Sequence, residues 1–336
     1  MDIKRKTVYY KEGNEVRMKF YLAPLEGITG YIYRNALHEY YGQGVDKYFT
    51  PFLTPHTKCS FNAKELRDIT PEHNRGMYTV PQVLTNSAED FLRIEKDLLA
   101  LGYEEININL GCPSGTVASK GRGAGFLAET KKLDCFLEDI FAGTNAKISL
   151  KTRIGIDDPE DFYELLDIYN KYPLEELIIH PRVLKEYYKG KPHWEIFDYA
   201  VKNSKNALCY NGDIFSVADY EHLQQEVFQK NDGYHVHAIM LGRGILQNPA
   251  LIEQLAQYEH KGEKKFDFDK NQFKLFHDRL RNDYMTQMSG DMNVLFKMKE
   301  LWFYMIMLFP GQEKVLKKIK KAKKLAEYDA AIKELM

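Results

Sequence analysis

Residues Glu105-Ile-Asn-Ile-Asn-Leu110 run directly into Gly111-Cys-Pro-Ser114. The first six read as a strand of the kind buried in a parallel sheet, and the next four as a glycine turn that carries a cysteine. Working outward, seven more runs of this kind occupy Phe20–Pro24, Tyr48–Leu53, Thr79–Leu84, Lys147–Arg153, Leu177–His180, Ala207–Asn211 and Ala238–Leu241. Segments of helical period lie between most of them. In the clearest, Ser87 is placed to cap, Asp90 follows three residues on, Phe91, Ile94, Leu98 and Leu101 form one stripe, and Gly102 ends it. Ser216-Val-Ala-Asp219 and Asp157-Asp-Pro-Glu160 are read as opening two more helices. Eight strands alternating with helices over about 225 residues predict an α/β fold, a (β/α)8 TIM barrel. A doubly wound open sheet is the competing arrangement. After residue 245 no strand pattern is found. Phe273, Phe276, Leu280, Tyr284 and Met288 make a helical stripe, and Leu295 to Phe309 reads as an apolar helix stopped by Pro310-Gly311. The chain is therefore divided into a barrel catalytic domain, residues 1–245, and an all-helical domain, residues 246–336.

The composition narrows the function classes. In 336 residues, 44% are hydrophobic and 28% charged, which argues against disorder. The longest apolar run, Leu301–Phe309, is nine residues, against the ~20 of a membrane helix. The N-terminal residues do not resemble a secretory signal. Four cysteines, at 59, 112, 135 and 209, contain no CxxC pair, so no zinc knuckle or iron–sulfur ligand set is expected, and a reducing cytoplasm fits. Net charge is −1, but from Lys261 onward there are 17 Lys+Arg against 11 Asp+Glu. An acidic body with a basic tail suggests two tasks in one chain.

Barrel enzymes draw their working groups from the C-terminal ends of strands. Here those ends carry Pro24-Leu25-Glu26, Gln82, Asn109, Lys151 and Arg153, His180 and Arg182, Asn211-Gly212-Asp213, and Gly242-Arg243-Gly244. Any one of these has an ordinary structural reading; the set converging on one rim does not. Gly212, Gly242 and Gly244 with Arg243 suit phosphate binding by the last two loops, although tight turns alone also need glycine. Gly121-Arg-Gly-Ala-Gly125 is not a dinucleotide fingerprint, since Phe126 stands where the last glycine belongs; it is read as a mobile loop with glycine hinges. Cys112 at the rim is placed for chemistry. It can act as a thiolate nucleophile if a base or positive field activates it, or as a neutral thiol that donates a proton. Cys59, Cys135 and Cys209 are read as structural, and His235 with His237 as ordinary strand histidines rather than a metal pair. Lys314 to Lys324 holds seven lysines in eleven residues, broken by Val315, Leu316, Ile319 and Ala322, which on a helix gives an apolar stripe and a basic face suited to a phosphate backbone.

Ala23-Pro-Leu-Glu-Gly-Ile-Thr29, Pro81-Gln-Val-Leu84, Ile108-Asn-Leu-Gly-Cys-Pro113, Lys151-Thr-Arg-Ile-Gly155, His180-Pro-Arg182, Tyr188-Lys-Gly190, Asn211-Gly-Asp213 and Leu241-Gly-Arg-Gly244 occur in this order. Together they resemble the tRNA-dihydrouridine synthases, which are flavin-dependent. The resemblance implies an FMN-bearing barrel followed by a tRNA-binding helical domain. It places Pro24, Leu25 and Glu26 along the flavin, with Gln82 and Lys151 on its ring system. His180, Asn211, Gly212, Asp213, Gly242 and Arg243 would surround the ribityl chain and phosphate. Cys112 would be the proton donor, Asn109 and Arg153 would meet the substrate, and Lys317, Lys318 and Lys321 the RNA. The implied reaction reduces uridine to 5,6-dihydrouridine in tRNA at the expense of NADPH, with hydride passing from FMN to C6 and a proton from Cys112 to C5. Leu25 stands where the family often has Met, and Gly30 where it often has Asp. The alternatives are a flavin dehydrogenase of a free pyrimidine such as dihydroorotate, a related synthase acting on ribosomal RNA, and an RNA-binding protein without catalysis. A monomer without bound metal, away from any membrane, is expected.

Overall fold

The computed structural model describes residues 9–11, 14–57, 59–228 and 236–336. A short antiparallel pair, Tyr9–Lys11 with Asn14–Val16, precedes the main fold. Eight parallel strands then close into a barrel in chain order: β1 (Lys19–Leu22), β2 (Val45–Leu53), β3 (Thr79–Val83), β4 (Glu105–Leu110), β5 (Lys147–Arg153), β6 (Leu177–His180), β7 (Leu208–Tyr210) and β8 (Val236–Leu241). Closure is made by β8 on β1, with Ala238 opposite Lys19 and Leu241 opposite Leu22. That pairing excludes the open doubly wound sheet and bears out the TIM barrel.

The helices are α1 (Tyr31–Tyr41), α2 (Ala63–Ile69), α3 (Ala88–Ala100), α4 (Gly115–Ala118), α5 (Thr130–Gly143), α6 (Asp161–Tyr169), α7 (Trp194–Asn203), α8 (Val217–Leu223), α9 (Arg243–Gln247) and α10 (Leu251–Lys261). Four more follow: α11 (Lys270–Gln287), α12 (Asp291–Met305), α13 (Glu313–Lys321) and α14 (Leu325–Lys333). Ser87 and Ser216 cap α3 and α8 as expected, each accepting at 3.2 Å from the N–H of the aspartate three residues on. Asp157 does not cap. It pairs with Lys185 at 2.5 Å, and α6 opens only at Asp161 after Asp158 has turned the chain by accepting from the Glu160 N–H at 2.9 Å.

The strands separate two layers of core. Phe20, Leu22, Ile106, Ile108, Leu110, Ile148, Leu150, Ile179 and Leu241 face outward and pack with the helices. Phe91, Ile94 and Leu98 of α3 are fully buried in that layer, each contributing about 1.5–3 kcal/mol of burial. Tyr21, Ala23, Phe49, Val80, Ile178, Cys209, Ala238 and Met240 fill the barrel interior. Side chains alternate along each strand, so Glu105, Asn107 and Asn109 of β4 and Ser149, Lys151 and Arg153 of β5 also point inward, with Asn107 opposite Ser149 and Asn109 opposite Lys151.

The helical region after the barrel is held by aromatic packing. Phe276 of α11 meets Tyr33 and Tyr41 of α1 edge-on at 5.9 and 5.5 Å. At the centre of this region the Tyr328 hydroxyl accepts from the Trp302 indole at 2.7 Å and pairs with His277 at 2.6 Å. The Phe273–Tyr284 stripe is buried as predicted. α10 lies against α8, where Tyr220 and Gln224 bond Glu259 at 2.8 and 2.6 Å. Among the described residues no helix is long and apolar enough to cross a membrane.

Candidate active site

The C-terminal ends of the strands bring the predicted rim residues together. At the end of β4, Asn109 turns its carboxamide oxygen to the N–H groups of Gly111 and Cys112, at 3.1 and 3.0 Å, and so shapes the cysteine turn. Its NH2 donates to Gln82 at the end of β3, at 2.7 Å. Gly123, at φ +55°, packs against this turn; a Cβ there would lie 2.9 Å from the Cys112 carbonyl. The Ala124 N–H donates to the same carbonyl at 3.1 Å. Pro24 and Leu25 are half-buried beyond β1, in a turn closed by the Leu25 N–H on Thr29 Oγ1 at 2.8 Å. At Gly30 a Cβ would stand 3.1 Å from the Asp68 carboxylate. An aspartate there would meet a like charge.

On the opposite side, Arg182 is fully buried. It donates to the carbonyls of Lys189 and Gly190 at 3.1 and 2.7 Å, to Asp213 at 2.5 Å, and lies 3.0 Å from His180 Nε2. Asp213 also pairs with Arg243. The Arg243 guanidinium lies 4.5 Å from the Tyr188 ring centre and that of Arg153 lies 5.5 Å from it. Asn211 anchors β7 to β8 by donating to the Met240 carbonyl at 2.8 Å. Gly212 has no room for a side chain, since its Cβ would fall 2.1 Å from the Tyr210 hydroxyl. Gly242 precedes α9, whose first N–H groups have no acceptor within the helix.

The electrostatics follow from this crowding of cations. Lys151 is half-exposed at the barrel mouth yet ringed by protein, and no carboxylate pairs with it among the described residues. Burial, and then the neighbouring Arg153 charge, lower its pKa to about 8. His180 is driven well below the ordinary histidine value, first by burial and then by Arg153, Lys151, Arg182 and Arg243, so it is neutral at pH 7. Burial raises the Cys112 thiol, outweighing the Arg153 and Lys151 charges that lower it. Of the two chemistries open to Cys112, the surroundings favour the protonated thiol.

The other predicted residues take these places. Arg153, expected at the substrate, is buried. It donates to the carbonyls of Gly111, Val183 and Tyr187 at 3.0, 2.9 and 2.6 Å, and so clamps the cysteine turn to the loop after β6. Glu26 is exposed and pairs with Lys64 at 2.7 Å. The segment read as a mobile glycine loop is a packed 3-10 turn, Gly123–Ala128, with Phe126 and Leu127 buried; at Gly125 a Cβ would strike the Ala118 carbonyl at 2.4 Å. Cys59 and Cys135 are exposed, Cys135 on α5, whereas Cys209 is buried in β7. His235 lies outside the described residues; His237 pairs with Glu176 at 3.0 Å. The lysine run is one helix only as far as Lys321, and α14 begins at Leu325. Val315 and Ile319 of α13 are buried and Lys317 and Lys321 exposed, but Lys318 is tied to Glu334 at 2.6 Å. Arg182 and Tyr188 were visible in the motifs but not assigned to the site. The inward Glu105, Asn107 and Ser149 were missed, although their signal is plain in Glu-Ile-Asn-Ile-Asn-Leu, where polar and apolar residues alternate with period two.

Fold and site together define a barrel enzyme with a cationic mouth and a neutral thiol at its edge. The chain belongs to the dihydrouridine synthase (Dus) family, which it matches over residues 21–335. It is 28% identical over 254 residues to a probable tRNA-dihydrouridine synthase 2 of Bacillus subtilis, covering 74% of this chain and 75% of that one. A probable tRNA-dihydrouridine synthase of Staphylococcus epidermidis is 28% identical, over 70% of this chain and 71% of the relative. One from Staphylococcus aureus is 27% identical, over 76% and 77%. An N-(5'-phosphoribosyl)anthranilate isomerase structure from Pyrococcus furiosus is similar at TM-score 0.44 and 10% identity, over 73% of this chain and 99% of that one.

Proposed function

We propose that this protein reduces the C5–C6 double bond of uridine in tRNA, with FMN as cofactor and NADPH as reductant. The observation that supports it most is Cys112, kept as a thiol, beside a lysine without a carboxylate at the mouth of a Dus-family barrel. The residues fit FMN. Lys151, Arg153, Arg182 and Arg243 crowd one rim, and among the described residues only Asp213 is ion-paired with any of them, so an anionic phosphate suits the charge there. Gln82 and Lys151 would hold the ring system, with Pro24, Leu25 and Glu26 along it. His180, Asn211, Gly212, Asp213, Gly242 and Arg243 would hold the ribityl chain and phosphate. When bound, the flavin supplies the hydride delivered to C6 of uracil.

The chain's own residues do the rest. Cys112 donates its proton to C5, where negative charge develops; a thiol held neutral is suited to this and a thiolate is not. Arg153 fixes the turn that carries the thiol. Lys151 supplies positive charge next to the reacting rings. Asn109 keeps the Cys112 backbone in place and offers its remaining N–H to the base. The target base must leave the RNA stack, at a cost of a few kcal/mol, and backbone contacts offset that cost. Those contacts come from the helical unit, residues 246–336, through Lys317 and Lys321 of α13. Lys297 of α12 already reaches the Gly27 carbonyl at the barrel rim, so the two parts adjoin the same mouth. NADPH and tRNA use that mouth in turn, and the enzyme acts as a cytoplasmic monomer.

The test is direct. The purified protein should bind FMN, turn yellow, and form dihydrouridine in tRNA from a strain lacking it when NADPH is present. Cys112→Ala should bind FMN but not form dihydrouridine. A protein that stays colourless with FMN, or one that acts on dihydroorotate or ribosomal RNA and not on tRNA, overturns the reading. Intersecting double-reciprocal lines, which require NADPH and tRNA on the enzyme together, would count against the shared mouth; parallel, ping-pong lines would agree with it.

A further inference from the structure

A single file of hydrogen bonds runs through the barrel interior beneath the cysteine turn, and its direction is fixed at both ends. At the top, the Asn109 oxygen is committed to the N–H groups of Gly111 and Cys112. Its NH2 must therefore face Gln82 Oε1, 2.7 Å away. That leaves the Gln82 NH2 to donate downward to Asn107 Oδ1, at 2.7 Å. The Asn107 NH2 then donates to Ser149 Oγ at 2.9 Å. The Ser149 hydroxyl donates to Glu105 Oε1 at 3.0 Å. An ionised carboxylate only accepts, so the file ends there. Lys47 fixes the other Glu105 oxygen at 2.7 Å and Tyr78 adds a bond at 3.3 Å. Turning over any one amide sets donor against donor or acceptor against acceptor in a buried site, which is unfavourable. Such a file is cooperative.

We propose that Asn107, Ser149 and Glu105 are positioning residues: they set which way the Gln82 and Asn109 carboxamides point, and through Asn109 they hold the Gly111–Cys112 backbone. None of the three reaches the open mouth. The inference takes the function of this rim from the reading above, but its first measurement does not depend on it.

Ser149→Ala removes the central link, including its bond to Glu105, while the Lys47 pairs with Glu105 and Glu176 remain; Ser149→Thr restores a hydroxyl. In hydrogen–deuterium exchange on the full-length protein without cofactor, the Gly111 and Cys112 amides should exchange about tenfold faster in Ser149→Ala. Ser149→Thr should return them to the wild-type rate, and amides of α3 and α11 should not change in either variant. With FMN, NADPH and tRNA, kcat should fall about tenfold in Ser149→Ala while KM for tRNA stays within about twofold, and Ser149→Thr should recover it. Unaltered exchange at Gly111 and Cys112 overturns the proposal, and so does faster exchange everywhere at once or a loss confined to KM. If wild-type protein forms no dihydrouridine while the exchange result holds, the functional reading fails and the relay stands.

Discussion

At the N-terminal end of the barrel, Lys47 lies between Glu105 and Glu176, at 2.7 and 3.0 Å, and Glu176 also takes the Tyr21 hydroxyl at 2.5 Å and His237 at 3.0 Å. At the C-terminal end, Lys151 has no carboxylate and three arginines share Asp213 and backbone carbonyls. Both ends are built from inward positions of the same strands. The lower cluster sets one lysine between two buried carboxylates, with Ser149 joining Glu105 to the file above it, which suits a part that holds the strands in register. The upper cluster is positive, with Asp213 the carboxylate that pairs with its arginines among the described residues. On the function proposed above, that contrast separates the part that maintains the fold from the part that meets cofactor and substrate.

The largest test of the contrast is Lys47→Met. It leaves two buried carboxylates without their cation, and breaking a buried pair in this way costs about 3–5 kcal/mol. Denaturant unfolding at pH 7 should show that loss. Wild-type stability in this variant would remove the lower cluster from the account of the fold. Cys112→Ala belongs to the other end and should leave the unfolding free energy near that of wild type. It should instead lower single-turnover dihydrouridine formation by about 10²–10³-fold, the usual scale for a lost proton donor. A fall in stability with intact turnover would reverse the assignment.

Lys151 gives an intermediate effect with a sign that can be worked out. Its folded pKa, about 8, lies below the ordinary 10.5. Between these values the folded chain has shed the proton and the unfolded chain still carries it, so this group makes stability rise with pH across that window. Lys151→Met removes the dependence. The stability advantage of Lys151→Met over wild type should therefore be largest below pH 8 and shrink towards pH 10.5. Catalysis runs the other way, because the positive form is the useful one. In wild type, kcat/KM should fall above about pH 8, and Lys151→Met should be slow throughout and lack that limb. A pH profile unchanged by the substitution would detach Lys151 from the chemistry.

The upper end was far more legible in the sequence than the lower. Apolar runs recur with a polar residue at or near their C-terminal ends, so Gln82, Asn109, Lys151, His180 and Asn211 could be assigned to one rim once eight strands were counted. The lower cluster joins residues 58 and 129 positions apart, Lys47 with Glu105 and Lys47 with Glu176, and no local pattern announces such a meeting. Arg153 was misplaced for a related reason. An arginine at a strand end reads as reaching outward, and its burial depends on the loop at Val183–Tyr187 folding over it. The glycines at 123 and 125 read as hinges when they are close-packing positions, because composition does not distinguish freedom from lack of space. In α13 the heptad-like placement of Val315 and Ile319 was readable, but the Lys318 ion pair needed the position of α14.

The smallest effect bears on whether the cationic character of the mouth extends along the helical region. Lys317 and Lys321 stand four residues apart on the exposed face of α13, with no carboxylate partner among the described residues. Lys318 lies between them in sequence but is held by both oxygens of Glu334 at 2.6 and 2.7 Å. A lysine already paired gains less from a phosphate, since it must first give up its carboxylate. Each phosphate contact contributes about 0.7–0.9 to the slope of log K against log salt. The double variant Lys317→Gln, Lys321→Gln should flatten the slope for tRNA binding by about 1.5, and Lys318→Gln should change it by much less. FMN binding should be the same in all of them, because α13 does not line the barrel mouth. Equal flattening by Lys318→Gln would mean that the Glu334 pair opens freely in solution, so that pairing no longer separates the two kinds of lysine. No flattening by the double variant would move the RNA contact away from Lys317 and Lys321.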